Sequence, residues 1–123
     1  MRRTPDDIVA SHAYKQTKQA YQELVPQITS HANSYNLSLD TPRYHIIPNR
    51  QTNPWYNLKL PLTSGEEFLS IDAQLSKDLQ HINILQLYIK APTPDANYQL
   101  HKHVTNYFKE RQEELKIDLL LEN

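Results

Sequence analysis

A chain of 123 residues has room for one domain, 1–123, with a hydrophobic core of its own, and little room for a second. Its net charge of −1 excludes a surface coated in positive charge for general nucleic-acid or membrane binding. The absence of cysteine excludes disulfides, thiol catalysis and thiolate metal sites, and a single glycine, Gly65, excludes the glycine-rich loops that cradle phosphates.

Arg2 and Arg3 could open a signal peptide, but Asp6 and Asp7 follow where an apolar run is needed. No stretch approaches the ~20 apolar residues of a membrane span, so a cytoplasmic protein with no membrane contact is expected. Thr4-Pro5-Asp6-Asp7 is a helix start: a threonine cap, a proline at the first position, and acids at the positive end of the dipole. Tyr14, Tyr21, Leu24, Ile28 and Tyr35 then share one helical face, with Ala20, Val25 and Ala32 beside them. One long helix to about Asn36 is predicted, kinked or broken near residue 25 by Pro26.

Arg43–Ile47, between Pro42 and Pro48, reads as a strand. Trp55–Leu62 alternates, with Tyr56, Leu58, Leu60 and Leu62 on one side and Asn57 and Lys59 on the other; Pro61 suggests an end or an edge. Thr63-Ser64-Gly65-Glu66 reads as a hairpin turn. Residues 68–76 fit a strand by their alternation and a helix by a capping box at Ser64; pairing with the preceding strand favours the strand. Ile82–Ile89 is a further strand. Thr93-Pro94-Asp95 starts a second helix with Leu100, Val104, Tyr107, Phe108 and Leu115 on one face. The tail Ile117-Asp118-Leu119-Leu120-Leu121 either continues that helix or forms an edge strand. The fold class is therefore α+β: an antiparallel meander of about four strands, with a long kinked N-terminal helix and a C-terminal helix on one face. The order overlaps loosely with double-stranded-RNA-binding domains. The basic cluster those carry at the start of their last helix is replaced here by Thr93-Pro94-Asp95-Ala96-Asn97, so no family is assigned.

From Thr41 to Gly65 there is no Asp or Glu, in a chain with 14 of them. This acid-free stretch holds Arg43, His45, Arg50, Trp55, Tyr56 and Lys59, a donor and aromatic set suited to phosphate contact and base stacking. It also suits other anions or an acidic partner, and equally a polar hairpin loop with its aromatics packed inward. His101 and His103 lie two apart on a helix and point about 200° away from each other, so they cannot share an ion. The acid pairs Asp6-Asp7, Glu66-Glu67 and Glu113-Glu114 read as capping, turn and solvated residues. No GxSxG or HExxH motif is present, and neither a metal nor a cofactor is expected.

Tyrosine suits half-wet contact surfaces, so the stripe Tyr14, Tyr21 and Tyr35 is a candidate interface. Leu119, Leu120 and Leu121, three leucines near a free end, are another. The leading expectation is a non-catalytic protein-interaction module or assembly subunit, a homodimer or a partner of another protein. The alternatives are a nucleic-acid or anion-binding module using residues 43–59, and a small enzyme whose site is not visible in the sequence.

Overall fold

A computed structural model describes residues 4–48 and 53–121. Thr4 caps α1 (Pro5–Val9) through a reciprocal pair: Asp7 N–H donates to Thr4 Oγ1, and Thr4 N–H donates to the Asp7 carboxylate, both at 3.2 Å. The first helix then stops at Ala10, and α2 (His12–Ser34) starts afresh from Ser11, whose hydroxyl accepts from Tyr14 N–H at 3.2 Å. Of the kink or break expected near residue 25, the break does not occur. The helix runs unbroken through Pro26, because Pro26 and Gln22, whose carbonyl the proline leaves unbonded, both lie on an exposed turn open to water. The interruption falls at residues 10–11, where Ala13 N–H is taken by the Leu79 carbonyl at 3.1 Å. Asn36, at φ 63, ends α2: Leu37 N–H donates to Ala32 O and Asn36 N–H to Asn33 O, while Leu37 packs on the core.

The chain then lays down β1 (Arg43–Ile47), β2 (Trp55–Pro61), β3 (Glu67–Leu75) and β4 (Ile82–Ile89) as an antiparallel meander. The ambiguous residues 68–76 are strand. Thr93 caps α3 (Pro94–Glu110) by accepting from Ala96 N–H, and α4 (Gln112–Leu115) follows. The tail is β5 (Ile117–Leu121), which pairs in parallel with β4. The fold is α+β as expected; the sheet formed by the described residues has five strands in the order β1-β2-β3-β4-β5, one more than the about four expected, and the edge strand β5 makes it mixed. The intervening helices supply the long crossover that a parallel neighbour requires. His81 Nε2 and Asp118 Oδ2, 3.0 Å apart, pin β5 to the start of β4.

Helix α4 ends at Lys116, held at φ 52 with no glycine to relieve the left-handed conformation. Lys116→Gly is expected to stabilise the protein by about 0.5–1 kcal/mol, seen as a higher urea midpoint with an unchanged slope.

One face of the sheet carries the core. Tyr56, Leu58 and Leu60 of β2, Leu69, Ile71 and Ala73 of β3, and Leu85 and Leu87 of β4 are all buried there. They pack under Tyr21, Leu24 and Ile28 of α2 and Leu100, Val104 and Phe108 of α3. The seam between the two helices is polar. Tyr107 donates to Glu23 Oε2 at 2.6 Å with the Arg111 guanidinium 3.8 Å over its ring. The His31 and His103 rings lie 4.6 Å apart, and His103 Nε2 sits 2.7 Å from Gln27 Oε1.

Burial, then the neighbouring His31, hold His103 below the ordinary histidine range, with Glu110 opposing them. Its pKa is lowered on folding, so the unfolded chain takes the proton first. The stability it contributes is complete above about pH 6.5 and is lost as the pH falls towards the folded-state value. Between pH 7.5 and 5.5 the parent is expected to lose more melting temperature than His103→Gln.

Candidate functional site

The helices leave the other face of the sheet uncovered. Directly opposed residues on neighbouring strands share a face, so the register writes that face as three rows. The basic row is Arg43–Lys59–Ser70–Tyr88, across β1 to β4. The middle row is His45–Asn57–Asp72–Gln86–Leu121, and the apolar row is Ile47–Trp55–Gln74–Ile84–Leu119, each across all five strands.

An open cleft of about 650 Å³ lies over the basic and middle rows. Arg43, His45, Lys59, Ser70, Asp72 and Tyr88 line it, with Pro61, Gly65 and Glu67 at its hairpin end. Gly65 serves the turn through a positive φ of 91, with open space where a Cβ would stand. On the floor, the buried Asn57 donates its amide to Asp72 Oδ1, and more distantly, at 3.4 Å, to the Ile71 carbonyl. Its own amide oxygen is buried with no partner among the described residues. At the cleft rim Arg43 meets Asp40 at 4.0 Å, the limit of an ion pair, with both side chains largely exposed.

The cleft brings Arg43, His45 and Lys59 together. Trp55 is on the same face but in the apolar row, half-buried. Tyr56 requires a correction. It points to the opposite face, is 1% exposed, and packs against Tyr14 and Tyr21 at ring distances of 4.6 and 5.1 Å, so it cannot meet an external ligand. Strand alternation sends neighbours to opposite faces, and the acid-free stretch mixed the two. Arg50 lies outside the described residues.

The tyrosine stripe is corrected at Tyr21, which has no exposed surface to offer a partner. Tyr21 is fully buried in the core, Tyr14 is half-buried against Tyr56, and Tyr35 donates to Asp95 Oδ2 at 3.1 Å, joining the end of α2 to the start of α3. Among the tail leucines, Leu120 packs towards the core, while Leu119, 48% exposed, and the half-buried Leu121 belong to the uncovered face. Sequence reasoning missed Ile47, Ser70, Asp72, Ile84 and Tyr88. The alternation Ser70-Asp72-Gln74 against Leu69-Ile71-Ala73 marks an outward face, but only the register shows which residues of other strands stand beside it.

No group of three or more His, Cys, Asp or Glu side chains among the described residues is placed to hold a metal ion. None of the described helices is long and apolar enough to cross a membrane. No family model matches the chain, and no curated protein or solved structure is significantly similar to it.

Proposed function

We propose that the protein is a non-catalytic interaction module that works through the uncovered face of its sheet, with a second copy of the chain as the partner. The observation that carries this reading is the apolar row. Ile47 (51% exposed), Trp55, Ile84 and Leu119 stand in one line across the sheet, on the face that no helix covers. The line is about 19 Å long, four inter-strand gaps. A stripe of large apolar side chains, interrupted by Gln74 and bordered by the polar middle row, has the make-up of an interface core with its rim.

Self-pairing also suits the charges. A two-fold axis parallel to the apolar row sets the two stripes against each other and carries the two basic rows to opposite sides, where they do not repel. Sedimentation equilibrium from micromolar to near-millimolar protein is the test, run on the parent and on Leu119→Asp. A dimer in the parent that becomes a monomer in the variant is expected. A monomer throughout for the parent overturns self-association.

A further inference from the structure

The cations of the uncovered face are placed against the stability of the sheet. Arg43 and Lys59 face each other directly across β1 and β2, and like charges so placed are destabilising. Lys59 has no hydrogen-bond or ion-pair partner among the described residues, and Arg43 has only the distant, solvated Asp40. The nearest acid in the middle row, Asp72, is engaged by Asn57. Glu67, paired with Pro61, lines the hairpin end of the same cleft and makes no ion pair with Lys59 or Arg43 among the described residues. Continuing the row, Ser70 and Tyr88 add two hydroxyls, so all four groups can donate and two are cationic. The row spans about 14 Å, three inter-strand gaps. The exposed ring of Tyr88 stands about 10 Å, two gaps, from Lys59.

We infer that this cleft binds a phosphate-bearing ligand with a planar ring, that is, a nucleotide. The phosphate oxygens bridge Arg43 and Lys59, which turns a repulsive pair into a chelating one. Ser70 adds a neutral donor, and Tyr88 offers its face to the base. A free nucleotide and a nucleotide within a single strand present the same chemistry to these groups. The inference does not depend on the apolar row or on self-association.

The test follows backbone amide resonances of the full chain during titration with inorganic phosphate, adenosine monophosphate, a short single-stranded RNA and a glutamate-rich peptide. Saturable shifts at Lys59, Ser70 and Tyr88 are expected with the nucleotide or the RNA. Much tighter binding of the RNA assigns the single strand, and equal affinity assigns the free nucleotide; both support the site.

The double variant Arg43→Gln, Lys59→Gln is expected to weaken binding about tenfold or more and to reduce the salt slope by about one for each cation removed. Its melting temperature should equal or exceed the parent's, because a like-charge pair has gone, and Lys59→Gln alone provides the same reading with one change. Leu119→Asp should leave the nucleotide shifts intact, which separates this site from the dimer. Shifts absent from the cleft with phosphate, nucleotide and RNA alike would overturn the proposal. So would equal binding of the glutamate peptide, or full affinity in the double variant.

Discussion

Replacing Tyr21 by alanine is expected to destabilise the protein by about 3–5 kcal/mol, and replacing it by phenylalanine by about 1–2 kcal/mol. Tyr21 is fully buried at the centre of α2, where Leu24 and Ile28 extend the same face over the sheet. Its ring lies 5.1 Å from that of Tyr56, and its hydroxyl donates to the Tyr56 carbonyl at 2.9 Å. Burial, with Asp72 and Tyr56 adding to it, drives its pKa well above the ordinary tyrosine value, so the hydroxyl is a donor at neutral pH.

Alanine removes both the ring and the bond and opens a cavity between helix and sheet. A domain of this size has about 5–15 kcal/mol in total, so the alanine variant should be close to unfolding at ambient temperature. Phenylalanine keeps the packing and loses only the hydroxyl. Urea denaturation of the two variants separates the terms, and a phenylalanine variant as stable as the parent would mean that the buried hydroxyl contributes nothing.

The second large effect concerns β5. Ile117→Ala should cost about 2–4 kcal/mol, while Leu119→Ala should stay within about 0.5 kcal/mol of the parent. The two residues are neighbours but one in sequence, yet Ile117 is 5% exposed and Leu119 is 48% exposed. Ile117 pairs with Ile82 at the closed end of the sheet, whereas Leu119 pairs with Ile84 on the uncovered face. Equal costs at the two positions would contradict this division of β5 between a buried start and an exposed middle. Thermal melts at low protein concentration give both values without interference from self-association.

The elements that local chemistry encodes were readable from the sequence. Proline pairs bracket β1, alternation marks β2 and β3, and Thr93-Pro94-Asp95 starts α3 through a side-chain cap. What distant partners decide was not readable. Ser11 restarts the helix because the Leu79 carbonyl, in the β3–β4 loop, takes Ala13 N–H. Pro26 looked like the breaker, but its turn faces solvent and tolerates the missing bond. The tail gave no clear stop signal before it, since Lys116 adopts the left-handed conformation that usually marks a glycine.

The same division holds at the site. The acid-free stretch pointed to Arg43, His45 and Lys59, all of which line the cleft. It also drew in Tyr56, which alternation alone places opposite Trp55 and Asn57, on the core face. Ser70, Asp72 and Tyr88 join the cleft from β3 and β4 through a register that no single segment reveals. Of the tyrosines that looked like an interface by composition, Tyr21 is buried in the core, while Tyr14 and Tyr35 are half-buried. The exposed apolar line instead comes from β1, β2, β4 and β5 together.

The most direct test of the uncovered face as the working surface is a concentration series of two-dimensional amide spectra on the unmodified chain. Shifts that grow with concentration at Ile47, Trp55, Ile84 and Leu119, with the outer surfaces of α2 and α3 unchanged, are the expected result. Shifts confined to those helical surfaces, or spectra that do not change with concentration, would contradict it.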